Sequence, residues 1–154
     1  MKSKLWPVFL LVLLPFSACE QKELYFKFQP IRGETWNSRN VVDFRLDSVN
    51  ALPEKQYAVS VEIVSNNQYP YQNLWLCMEQ NITDTTFVND TLEVKITDLY
   101  GKRLGTGGAA LHQLSVPYKK NVVLDSARSY LIRVRHIMSD EFLPGIEQIG
   151  LRIQ

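Results

Sequence analysis

The chain predicts an all-β fold, an antiparallel β-sandwich of jelly-roll or immunoglobulin-like type. Three observations predict it. Seven or eight short segments that alternate apolar and polar residues recur at turn-marked spacing, and no segment sustains an amphipathic helical period. The third observation is the stretch 57–78, where a polar loop joins two strongly apolar strand patterns and marks the centre of the core. In its first arm Tyr57, Val59, Val61 and Ile63 fall on one side and Ala58, Ser60 and Glu62 on the other, the period of a half-buried strand. The second arm, 74–78, is apolar at every position. Its side away from the main core is therefore expected to be covered as well, by another part of the chain or by a partner.

The amino terminus precedes this sandwich. Lys2 and Lys4 lead into an apolar run over 5–16, followed by Ser17, Ala18 and Cys19. A run of about a dozen residues is too short for a bilayer core of roughly 30 Å, and Pro7 and Pro15 oppose a membrane helix. Small residues just before a cysteine suit a lipoprotein signal peptidase, with diacylation of the Cys19 thiol. The expected organisation is a signal peptide over 1–18, a lipidated tether over 19–23 and a single sandwich domain over 24–154. The lipid places the protein at a membrane of the cell envelope.

Within the domain, Tyr25, Phe26 and Phe28 predict a first strand that ends at Gln29-Pro30, and Arg32-Gly33-Glu34 a turn before Trp36. Val42, Phe44 and Leu46 alternate with Asp43 and Arg45, and Leu52-Pro53-Glu54 breaks the chain before the central pair. Past Met78, a polar segment leads to Leu92, Val94 and Ile96, alternating with Glu93 and Lys95, and Asp98-Leu99-Tyr100-Gly101 closes that strand with turn chemistry. A glycine-rich loop follows over 104–108, then a short helix over 109–114 and a brief strand over 122–124. Tyr130, Ile132, Val134 and His136 mark a long strand, Phe142-Leu143-Pro144-Gly145 a turn, and Ile149, Leu151 and Ile153 a last strand.

Composition excludes several functions. A formal net charge of +1 with 21% charged residues leaves no basic face for nucleic acid. With Cys19 lipidated, Cys77 has no intramolecular partner and is expected to be a small buried hydrophobe; a domain of this length needs no disulfide. The two histidines, His112 and His136, stand in no metal-binding motif, and Asp84, Asp90 and Asp98 lack calcium-loop spacing. No G-x-S-x-G is present, and Gly105-Thr106-Gly107-Gly108 lacks the Lys-Ser/Thr that a phosphate cradle requires. The sequence thus predicts a protein that is not an enzyme and that holds no metal and no cofactor.

The order of motifs along the chain carries a resemblance. Trp36 precedes a strand with Phe44; Asn66-Asn67-x-Tyr69-Pro70-Tyr71-x-Asn73-Leu74-Trp75-Leu76 follows, then Asp90-Thr91-Leu92-Glu93-Val94, Gly101 with Leu104-Gly105-x-Gly107, Met138, Leu143-x-Gly145-Ile146 and Ile149-Gly150-Leu151-Arg152-Ile153. In this the chain resembles the GldH gliding-motility lipoproteins of Bacteroidetes. The resemblance implies an outer-membrane lipoprotein associated with gliding machinery and the secretion system linked to it, with no known catalytic activity.

Two functions remain. In the first, a structural subunit of an envelope machine, Tyr69, Pro70, Tyr71 and Trp75 face a protein partner on the outside of the sandwich. In the alternative, a surface glycan-binding module, Tyr69, Tyr71 and Trp75 stack on sugar rings. Four Asp-Ser/Thr triplets also resemble the acceptor pattern of Bacteroidetes O-glycosylation, which makes Ser48, Thr85, Thr91 and Ser126 candidate glycan sites. Thr85 leads because it lies in a polar loop. Asp before Ser or Thr also simply favours turns.

Overall fold

The structure, a computed structural model, describes residues 23–33, 35–47 and 49–154. Residues 1–18, expected to be a signal peptide, together with Cys19 and Ser48 lie outside the described residues. Among the described residues there is no helix. Eleven strands follow one another: β1 (Tyr25–Pro30), β2 (Thr35–Asn37), β3 (Val42–Leu46), β4 (Gln56–Asn66), β5 (Asn73–Gln80), β6 (Val88–Lys95), β7 (Thr106–Gly107), β8 (Leu111–Val123), β9 (Tyr130–His136), β10 (Phe142–Pro144) and β11 (Ile146–Ile153). One sheet has the order β1-β11-β4-β8-β7 and the other β3-β9-β5-β6, while β2 and β10 form a two-stranded ribbon. The inner faces share one core. Tyr57, Val59, Val61, Ile63, Ile149 and Leu151 contribute to it from the larger sheet, and Phe44, Leu76, Met78 and Ile132 from the smaller.

Antiparallel pairing decides which loops share an end. Tyr25 lies opposite Ile153, and Ile153 opposite Val59, so the chain enters the sandwich where β11 finishes and β4 starts. This near end also carries the loops 49–55, 81–87 and 124–129. The loops 31–33, 67–72, 96–105 and 137–141 lie at the far end.

Four sequence expectations are corrected. The segment 109–114 is not helical: Ala109 and Ala110 form the turn of a hairpin between β7 and β8, closed by the Gly108 N–H donating to the Leu111 carbonyl at 3.1 Å. Glycine permits it, because a Cβ on Gly107 would lie 2.1 Å from that same carbonyl oxygen. The segment 122–124 is not a separate strand either, since Val122 and Val123 end the thirteen-residue β8. The run Lys119-Lys120-Asn121 hides this in the sequence, and irregularities in the β4–β8 register with a left-handed Asn121 (φ 58°) carry the strand through it. Phe142, Leu143 and Pro144, expected in a turn, pair with β2 and leave the turn to Gly145. Finally, β5 does alternate: Leu74, Leu76 and Met78 are fully buried, whereas Trp75 is exposed and Cys77 only half-buried. Cys77 is therefore an outer-face residue rather than part of the core.

The outer face of the larger sheet holds a buried carboxylate. Glu62, in the middle of β4, accepts hydrogen bonds from Ser115 Oγ at 2.7 Å, Gln113 Nε2 at 3.1 Å and Arg152 Nε at 3.1 Å. The Phe28 ring lies over Gly150 beside it, where a Cβ would meet the ring at 2.7 Å. Phe26 packs against the Arg152 guanidinium, 4.1 Å from ring centroid to Cζ. The edges of the sheets are treated unequally. β8 pairs with β7 only through His112 and Gln113, and among the described residues no strand pairs with that edge beyond them. Pro117 interrupts its row of N–H donors.

Candidate functional site

The far end is built on the loop between β4 and β5. The Asn66 side chain accepts from the Gln68 N–H at 2.7 Å and itself donates to Glu147, which fixes the exit from β4. The Asn66 N–H donates to the Gly145 carbonyl at 2.9 Å. Gly145 has φ +80°, and a Cβ there would lie 2.2 Å from the Tyr69 nitrogen, so two backbones touch at this point. Asn67 Nδ2 reaches the Ala109 carbonyl at 2.8 Å and ties this loop to the β7–β8 hairpin.

Tyr69 is 5% exposed and packs into the core. Its hydroxyl donates to the Asn73 carbonyl at 2.6 Å, and its own carbonyl accepts from Arg103 at 3.3 Å. Burial pushes the Tyr69 hydroxyl pKa well up, Tyr71 adds to the rise and Arg103 opposes it. Tyr69 is thus removed from the outward-facing set expected from the sequence, because the tight Asn66 turn and the Gly145 contact direct its ring inward. Tyr71 lies edge-to-face on it, centroids 6.0 Å apart, and donates to Asp140, a bond that raises its pKa. Pro70 is exposed between them. With Tyr69 in the core, the three rings do not form one platform for sugars.

Trp75 does face outward, 37% exposed. On its sheet it pairs with Glu93, its carbonyl accepts from the Ile137 N–H at 2.9 Å, and its N–H donates to the Met138 sulfur at 3.3 Å. Asn73 Nδ2 donates to Glu93 at 3.1 Å on the same face. A hollow of about 410 Å³ opens beside these residues, lined by Asn73, Glu93 and Lys95 and closed by Asp98, Leu99 and Leu104.

The hairpin beyond β6 carries residues that no sequence motif marks. Leu99 and Tyr100 are 88% and 95% exposed, the most exposed large apolar side chains among the described residues. They are nevertheless held in a stiff turn. Asp98 Oδ1 accepts from the Tyr100 and Lys102 N–H groups, both at 2.9 Å, the Gly101 N–H donates to the Asp98 carbonyl at 3.1 Å, and Gly101 takes φ +80°. The signal available in the sequence was two consecutive large apolar residues at turn positions that normally carry polar ones. Trp75, Ile137, Leu99 and Tyr100 thus all expose apolar surface at the far end, and Leu99 also lines the hollow.

The glycan candidates lie elsewhere. Thr85, Thr91 and Ser126 are exposed. Asp84 bonds locally to the Thr85 N–H at 2.6 Å and Asp125 to the Ala127 N–H at 2.8 Å, as turn residues do. Asp90 instead turns inward to accept from Tyr118 at 2.6 Å and pair with Lys119 at 3.0 Å. Partial burial opposes its ionisation, but the bonds from Tyr118, Lys119 and Gln80 hold its carboxyl below the usual range. His136 is fully buried against Trp36, ring centroids 5.1 Å apart, with Nε2 bonded to the Trp36 carbonyl at 2.9 Å.

Comparison with known proteins covers this whole arrangement. A family model described as GldH lipoprotein matches residues 23–153. The chain is 29% identical to a protein named gliding motility lipoprotein GldH homolog from Christiangramia forsetii, over 96% of this chain and 93% of that one. It is 25% identical to gliding motility lipoprotein GldH from Flavobacterium johnsoniae, over 96% of this chain and 94% of the relative.

Proposed function

Because the chain belongs to the GldH lipoprotein family, we propose that it is a non-catalytic, lipid-anchored structural component of gliding-motility machinery or of the protein-secretion system linked to it, held at the outer membrane through Cys19. Its near-full-length similarity to two gliding-motility lipoproteins supports the assignment. The observation that carries the mode of action is the pair Leu99 and Tyr100, displayed to solvent on a turn whose backbone is already fixed. A rigid apolar anchor loses little entropy on binding and acts as the centre of a protein interface, with Trp75 and Ile137 extending it.

Affinity purification of the lipoprotein from solubilised envelopes tests this. The unsubstituted protein retains envelope proteins that the Trp75→Ala, Tyr100→Ala double variant, still folded, loses. Equal recovery by a folded double variant overturns the assignment of this surface to binding.

A further inference from the structure

The near end of the sandwich carries its own exposed apolar residues. Leu52 is 59% exposed and Val123 54%. The two line hollows that the chain segment 51–55 joins. Leu52 lines a hollow of about 410 Å³ together with Glu23, Leu24 and Lys55, and Pro53 and Glu54 line a second, of about 310 Å³, together with Val123 and Ser126. Lys55 is exposed beside Leu52, and the exposed Glu54 and Asp125 flank Val123.

Glu23, where the chain enters, is fixed to this end: Arg152 pairs with its carboxylate at 2.8 Å, and the Leu24 N–H donates to the Ile153 carbonyl at 2.8 Å. Four residue steps separate Glu23 from Cys19. Fully extended, they span at most about 14 Å. A folded protein domain of about 100 residues is roughly 26 Å or more across, so none fits between a lipidated Cys19 and the near end. The bilayer is what lies within reach.

We propose that the near end, through Leu52, Pro53 and Val123, rests on the surface of the membrane that anchors the chain. The sandwich then stands end-on. The eleven residues of β4 span about 35 Å, which sets the Leu99–Tyr100 hairpin roughly that far from the bilayer, free to meet a partner. This inference rests on the lipid anchor of the proposed function, and its test separates the two.

The mature acylated protein is reconstituted into phosphatidylethanolamine–phosphatidylglycerol liposomes with or without brominated acyl chains. A Leu52→Trp variant, or Val123→Trp should the first fail to fold, loses about half the emission of its added indole to bromine, as expected for a group seated in the headgroup–acyl boundary. The unsubstituted protein, with Trp36 and Trp75 away from that end, changes little. In the unsubstituted protein, amide exchange over 50–54 and 121–127 slows on liposomes while that over 98–102 does not. Acylated protein that floats with liposomes, yet shows neither quenching nor slowed exchange, overturns the proposal. A mass without acyl chains and no flotation overturns the anchor itself, and the proposal with it.

Discussion

Arg152 donates from Nε to Glu62 at 3.1 Å on the outside of the larger sheet, where Glu62 has no exposed surface at all. Removing Arg152 leaves the buried carboxylate without a countercharge, held by neutral donors such as Ser115 and Gln113. Arg152→Ala is expected to cost about 3 kcal/mol, the low end for a buried pair, because Arg152 itself keeps some contact with water. Replacing both residues, Glu62→Leu with Arg152→Met, is expected to cost less than the single change. Urea denaturation of the three proteins checks the order.

Gly145 is expected to tolerate no side chain. In Gly145→Ala the added carbon meets the Tyr69 backbone, and the left-handed φ adds strain of roughly 1 to 3 kcal/mol. Thermal unfolding should show a clear loss of stability, in contrast to Gly108→Ala, where nothing lies within 4 Å of the added carbon.

Two tyrosines of the far end should separate core from surface. Tyr69→Ala is expected to destabilise by about 3 to 5 kcal/mol, as for other large buried rings. Tyr100→Ala should stay within about 0.5 kcal/mol of the unsubstituted protein while weakening partner recovery. Melting temperatures of both variants decide the matter.

Burial is the main influence on His136 and lowers its pKa, the bond to the Trp36 carbonyl opposing it only in part. The folded value therefore lies below the unfolded value of about 6.5. The neutral ring's contribution to stability is fully present above that value and is lost as pH falls below it toward the folded pKa. Stability measured from pH 7 to pH 5 should fall less in a His136→Gln variant than in the unsubstituted protein.

The Asp-Ser/Thr triplets give a prediction that does not depend on the fold. Native mature protein should carry glycan mass beyond polypeptide and acyl chains, with Thr85 as the leading site. An intact-mass spectrum showing only polypeptide and acyl chains would rule it out.

The strands were legible wherever one face is buried and the other wet, as at Val42, Phe44 and Leu46 or Tyr130, Ile132 and Val134, because the period of two survives in the residue types themselves. That legibility failed at 109–123, where β8 is an edge strand whose burial is irregular and whose register shifts. The surface was harder to find. The direction of the Tyr69 ring depends on Gly145, distant in sequence, and Trp75 differs from Leu74 and Leu76 only in facing the other side of β5. In the sequence Leu99 and Tyr100 carry turn chemistry, which is correct for their backbone and uninformative about their side chains.

Pro117 has a consequence for life on a crowded membrane. Lipid anchors confine copies of the chain to two dimensions, where encounters between neighbours are frequent and similarly oriented, and an open strand edge would recruit the next copy into a growing ribbon. A proline that cannot donate, followed by Lys119 and Lys120, makes the long β8 a poor template for that growth. Colloidal tolerance of high surface density is thus written into the strand itself.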